Sequence, residues 1–211
     1  MQRFENPVFF KNMEDAEEDK SIELIIIGAS AGGALALIEV LHMLPRSMPP
    51  ILVVQHMDAH FTTMYAERLN GICKMDVSES GDNEFVKPGH IYIAPGNYHT
   101  IITWVNGNYV LKLDSGPKIL GLRPCINLTF SSAARVVGKR AIGVILTGMG
   151  SDGASGLLEM RNAGAFTIGQ NEATSFVYGM PKVAKEMGAV VRQLPLEQIG
   201  YELMLKCGVR H

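Results

Sequence analysis

Apolar residues in this chain fall into short solid runs separated by stretches with helical spacing. Leu24 to Ile27, Ile51 to Val54 and Ala141 to Leu146 are runs rich in β-branched residues, the pattern of strands buried on both faces. Phe166 to Gln170 and Ala189 to Arg192 read as further short strands. Between the runs, apolar positions recur at helical intervals. After Gly33 they are Leu35, Ile38 and Leu41 with Leu37 alongside, and over 61–69 they are Phe61, Met64, Tyr65 and Leu69. Helices are also expected over 126–137, over 154–162, from Pro181 (a favoured first helical position) and from Leu196. Strand, helix and strand in alternation predict an α/β fold whose parallel neighbours are joined by right-handed crossovers.

The middle of the chain breaks this rhythm. Lys87 to His90 reads as a turn, and Ile91 to Ile93 as a strand running into Ala94-Pro95-Gly96. Residues 101–105 and 109–113 flank Asn106-Gly107, which supplies the positive φ values of a tight hairpin. This unit is expected as a small antiparallel hairpin at one edge of the sheet.

Composition narrows the classes. A chain of 211 residues, 47% hydrophobic and with net charge −2, fits one globular domain, here residues 22–211. No basic patch marks a nucleic-acid partner, and no apolar stretch is long enough for direct membrane insertion. Cys73, Cys125 and Cys207 are odd in number and scattered, which argues for packing residues in a reducing cytoplasm. Residues 1–21 hold the acidic run Glu14 to Asp19 and read as a mobile extension, with Phe9 and Phe10 free to dock on the domain.

The chemistry concentrates where strands end. Gly28-Ala29-Ser30-Ala31-Gly32 spells G-x-S-x-G, the nucleophile elbow in which a sharp strand-to-helix turn presents a serine hydroxyl. The same residues also suit a phosphate-binding turn, or Ser30 as a helix cap. A second corner, Thr147 to Gly153, carries Asp152, and the second strand ends at Gln55-His56. In an open parallel sheet the carboxyl ends of strands share one crevice, so Ser30, His56 and Asp152 can meet there. A serine hydroxyl needs a base to take its proton, and an imidazole needs an acceptor to fix its tautomer. Asp152 could instead cap its own helix, His56 could be a satisfied core histidine, and His99 could line the same cleft.

Five ordered blocks, G-A-S-A-G-G, V-V-Q-H-M, H-I-Y-I-A-P-G, T-G-M-G-S-D-G-A and Q-N-E-A-T-S-F-V-Y-G-M-P, resemble the catalytic domain of the chemotaxis protein-glutamate methylesterases, the CheB family. The resemblance runs from about Leu24 to Leu196. It implies a doubly wound, mostly parallel sheet flanked by helices, with Ser30, His56 and Asp152 as catalytic residues. It also implies a backbone oxyanion hole at Met149, to which Ala31 is added. The implied activity is hydrolysis of γ-glutamyl methyl esters on the cytoplasmic helices of a methylated chemoreceptor, with deamidation of receptor glutamines, and without metal or organic cofactor. Activity is expected to rise with pH through roughly 6 to 7 as the base is freed. Ala31, Asp58, His60, Cys125 and Asn127 depart from the usual family wording. The residues before the domain are too few for the family's receiver domain, since domains rarely fall below about 50 residues; a fragment or a stand-alone esterase domain is expected. Outside this family, the competing classes are a phosphate- or nucleotide-binding module and an inactive partner-binding domain.

Overall fold

The computed structural model describes residues 21–209. Ten strands and six α-helices follow in the order β1 (Leu24–Ala29), α1 (Gly33–Leu41), β2 (Ile51–Gln55), α2 (Ala59–Asn70), β3 (Asp76–Glu79), β4 (Glu84–Phe85), β5 (His90–Ile93), β6 (His99–Val105), β7 (Asn108–Asp114), α3 (Ile126–Val136), β8 (Ala141–Ile145), α4 (Ala154–Asn162), β9 (Phe166–Gln170), α5 (Met180–Glu186), β10 (Arg192–Leu194) and α6 (Leu196–Lys206).

Seven strands form one sheet in the order β10-β9-β8-β1-β2-β5-β3, with every neighbouring pair parallel. The two-residue period of a strand divides each apolar run between two cores. Ile25, Ile27, Ile51, Val53, Ile142 and Val144 face α1, α2 and α6. Leu24, Ile26, Leu52, Val54 and Ile145 face α3, α4 and α5 together with the antiparallel strands. That double burial explains why these runs lack alternating polar residues. β1 lies at the centre: the chain steps to β2 on one side and later returns to place β8 on the other. This reversal of strand order opens a crevice at the carboxyl ends.

The expected hairpin forms over β6 and β7, and β4 joins it in a separate three-stranded antiparallel sheet. It does not extend an edge of the main sheet. Ile102, Tyr109 and Leu111 belong to the same buried cluster as Leu24, Ile26 and Tyr92, so the small sheet contributes to the core on one face. Other expectations also shift. β3 leaves no apolar run in the sequence, because only Val77 of its four residues is buried and it pairs on one side alone. The last strand begins at Arg192, not Ala189, whose carbonyl is bound by the Thr167 hydroxyl at 2.6 Å. Leu35, Phe61 and Met64 are exposed. The buried stripes keep Leu37 and Leu41 in α1 and Tyr65 and Leu69 in α2, and are completed by Ala36 and Val40 and by Thr62 and Ala66. The acidic run 14–19, Phe9 and Phe10 lie outside the described residues. No helix among the described residues is long and apolar enough to cross a membrane.

Candidate active site

The register of three adjacent strands brings the candidate residues side by side. Ala29 pairs with Gln55 and Gly28 with Ile145, so the next residues, Ser30, His56 and Leu146, emerge together at one rim. The ladder continues one step past β1: the His56 N–H donates to the Ala29 carbonyl at 3.0 Å. The Ser30 N–H donates to Thr147 O, also at 3.0 Å, joining the elbow to the second corner. The Thr147 hydroxyl contacts Ala31 O at 2.9 Å and accepts from the Val177 N–H at 2.9 Å.

Gly32 makes the elbow possible. Its φ of 79° lies in the left-handed region, and a Cβ there would come within 2.5 Å of Phe176 Cβ. It also occupies the N-cap of α1, where no side chain caps the helix; Ser30 therefore has no capping role. Gly28 lets α3 approach β1, since a Cβ would stand 2.5 Å from Ile126 Cγ2. The start of α3 is thereby brought over the crevice.

His56 Nε2 lies 2.8 Å from Asp152 Oδ2, with Asp152 3% exposed. A carboxylate only accepts here, so Nε2 carries the proton and Nδ1 is the ring's free acceptor. On its own helix, α4, the carboxylate takes only the N–H of the N-cap residue Gly153, at 3.0 Å, and none of the first-turn N–H groups. It caps α3 instead. Oδ2 accepts from the Ile126 N–H at 2.7 Å, and Oδ1 from Asn127 N–H at 3.0 Å and Cys125 Sγ at 3.2 Å. Burial pushes the Asp152 carboxyl upward, but hydrogen bonds from His56, Asn127, Ile126 and Cys125 outweigh it and hold the group below its ordinary value. The positive end of α3 favours the same charge. Burial, with the carboxylate beside it, pushes the Cys125 thiol up to about 11 and keeps it a neutral donor.

The Ser30 hydroxyl forms no hydrogen bond among the described residues. Such contacts are often open in a free enzyme and tighten with substrate. His99 does not line the cleft. It is buried below, accepting from the Cys125 N–H at Nδ1 (3.1 Å) and bonded through Nε2 to Pro117 O (3.0 Å). Asp58, one of the unusual positions, caps α2 by accepting the His60 N–H at 3.0 Å.

No sequence motif marks Gln55 and Gln170, two glutamines that end strands, as site residues. Gln170 Oε1 accepts the Thr147 N–H at 2.7 Å, and its amide group donates to Thr174 O at 2.8 Å, holding the loop after β9 against the second corner. Their one signal in the sequence was adjacency: Gln55 precedes His56, and Gln170 opens the Q-N-E-A-T-S block. A groove of about 530 Å³ opens beside the elbow, lined by Gly32, Leu35, Thr147, Gln170, Phe176 and Leu196. Leu35 and Phe176 in its lining are exposed (71% and 82%), as is Met149 in the second corner (77%). Another groove, of about 490 Å³ around Trp104 and Tyr109, sits at the amino ends of the strands and holds none of these groups. No cluster of three or more His, Cys, Asp or Glu side chains suited to a metal ion occurs among the described residues.

Sequence and structure comparisons bear on the family and the fold. The CheB methylesterase family model matches residues 25–203. A protein-glutamate methylesterase/protein-glutamine glutaminase of Ralstonia nicotianae is 50% identical over 184 residues, 87% of this chain and 48% of that protein. Its Escherichia coli K12 counterpart is 47% identical over 186 residues, 88% of this chain and 53% of that protein. The chain thus spans about half the length of the curated relatives it matches. The crystal structure of the Thermotoga maritima CheB methylesterase catalytic domain superposes with a TM-score of 0.85 at 38% identity, covering 88% of this chain and 98% of that one. With a match over most of its length and the same mostly parallel architecture, the chain belongs to the CheB methylesterase family.

Proposed function

We propose that this chain is a serine esterase that hydrolyses γ-glutamyl methyl esters in the helical signalling region of a chemoreceptor, releasing methanol in the cytoplasm. The observation that carries the reading is the His56–Asp152 pair, 2.8 Å apart, at the rim where Ser30 leaves β1. Ser30 Oγ attacks the ester carbonyl while His56 Nδ1 takes its proton. Asp152 holds the ring in the tautomer that leaves Nδ1 open and stabilises the imidazolium that forms. The tetrahedral oxyanion is held by the backbone N–H groups of Met149 and Ala31, each worth about 3 kcal/mol in the transition state. His56 returns the proton to the departing methanol, and water, activated by the same nitrogen, releases the glutamate carboxylate from Ser30.

Glutamine side chains enter the same cycle with ammonia as the leaving group, in line with the double name of the relatives. None of these steps calls on a metal or an organic cofactor. The exposed apolar rim of Leu35, Met149 and Phe176 suits a substrate presented on an amphipathic helix, which docks its apolar face in such grooves. The test is methanol release from methylated receptor by the wild type beside Ser30→Ala. Release by the wild type alone is expected. Equal release by both, or saturable nucleotide binding with no methanol formed, would overturn the proposal.

A further inference from the structure

Gln55 is the last residue of β2, 4% exposed, and its side chain turns back under the elbow. Its amide nitrogen donates to the Ser30 carbonyl at 2.9 Å and to the His56 carbonyl at 3.0 Å. One NH₂ group therefore joins the backbones of the two residues that must share a proton. It does so one residue beyond the regular β1–β2 pairing, where only the His56 N–H to Ala29 O bond continues the ladder. The orientation of the amide is fixed by its partners, since both acceptors are carbonyls and only the nitrogen can donate.

The other end of the amide has no hydrogen-bond partner and is buried. It points at the start of α1: a Cβ on Gly33 would lie 2.2 Å from Gln55 Oε1. Gly33 is thus the space into which the amide fits. The free N–H groups of a helix's first turn give that end a partial positive charge, which favours a carbonyl oxygen there. The second glycine of the Gly32-Gly33 pair answers to close packing, against Gln55 and against Ala29 Cβ at 2.7 Å, not to backbone conformation, since only Gly32 has a positive φ.

We infer that Gln55 is a positioning residue of the active site, its buried amide clamping the Ser30 and His56 carbonyls and so setting the distance between nucleophile and base. The inference rests on Ser30 and His56 acting as proposed above. Without the clamp the two backbones are free to part beyond the last ladder bond, and a displacement of about 1 Å can cost roughly 10²-fold in turnover.

The test compares Gln55→Leu and Gln55→Glu with the wild type in two reactions, methanol release from methylated receptor and labelling of Ser30 by a small organophosphonate. Rates are taken per folded molecule, with folding followed by circular dichroism. Gln55→Leu should lower kcat and the labelling rate by roughly 10²-fold, with KM changed far less. Gln55→Glu adds a readout that a purely structural role would not give. Its carboxylate faces two carbonyls, whereas its protonated form donates to one of them. Its activity relative to wild type should therefore rise as pH falls from 8 to 6, whereas the Gln55→Leu ratio should not. Wild-type rates per folded molecule in both variants, or a Gln55→Glu ratio that does not change with pH, would overturn the inference. Labelling of Ser30 without methanol release would overturn the substrate assignment and leave the Gln55 comparison to be decided by labelling. A wild type that neither releases methanol nor is labelled would overturn both.

Discussion

The two glycine-rich corners, one after β1 and one after β8, look alike in sequence and behave differently in the fold. Each follows a buried strand, and each starts its helix on a glycine in the left-handed region, with φ 79° at Gly32 and 90° at Gly153. In the first corner the polar residue, Ser30, stands at the rim with its hydroxyl free and its backbone tied to Thr147 and Gln55. In the second, the polar residue turns inward: Asp152 is buried and takes donors from His56 and from the start of α3, a helix that precedes it in the chain. One corner presents a group and the other anchors one. A nucleophile can be removed with little effect on packing, whereas a buried carboxylate with this many donors holds the fold as well as the chemistry.

The sharpest way to break this contrast is Ser30→Ala. It should lower methanol release by roughly 10⁴-fold or more while the thermal midpoint stays near wild type, because the hydroxyl has no partner to lose. A large drop in midpoint would show that the first corner is structural too. Asp152→Asn should also cut turnover by about 10⁴-fold, since an amide favours the wrong imidazole tautomer. It differs from Ser30→Ala in a stability loss of about 1–3 kcal/mol, read by urea unfolding, because one oxygen must give way to an NH₂ facing N–H donors. Unchanged stability would mean that α3 does not depend on this cap.

Next in size come the glycines that open the helices. Gly153→Ala and Gly32→Ala each force a left-handed alanine, a cost of about 1–2 kcal/mol. A Cβ at Gly153 would meet Ile126 Cγ2 at 2.8 Å in the core, whereas the Gly32 clash is with the exposed Phe176. Gly153→Ala should therefore lower the midpoint more than Gly32→Ala does, and the reverse order would undo the contrast. The smallest effect is with acid. The Asp152 carboxyl is held below its ordinary value of 3.8, so its ionised form stabilises the native state above the ordinary carboxylate range. That contribution is lost as pH falls through the lower native value. Urea midpoints of the wild type should fall more steeply than those of Asp152→Asn as pH is taken from about 5 to 3. Parallel curves would remove Asp152 from the acid response.

Both corners were legible in the sequence because a buried parallel strand and a glycine turn leave local signatures. A solid apolar run, then glycines, then helical spacing located β1, β2, β8 and the residues that follow them, and Asn106-Gly107 located the hairpin. Because parallel strands all present their carboxyl ends to one rim, the sequence pattern alone groups the three polar residues. Partnership was not legible. Nothing near Asp152 says that two of its backbone donors lie some 25 residues earlier, at the start of α3, nor that Gln55 bends back to two carbonyls and needs the space left by Gly33. Leu35 shares helical spacing with the core residues of α1 yet faces the rim, and β3 is an edge strand with too little buried surface to show an apolar run. Periodicity along a chain reports how often a position is buried, a local property. Which groups meet there is settled by the packing of elements distant in sequence, and only the folded molecule decides it.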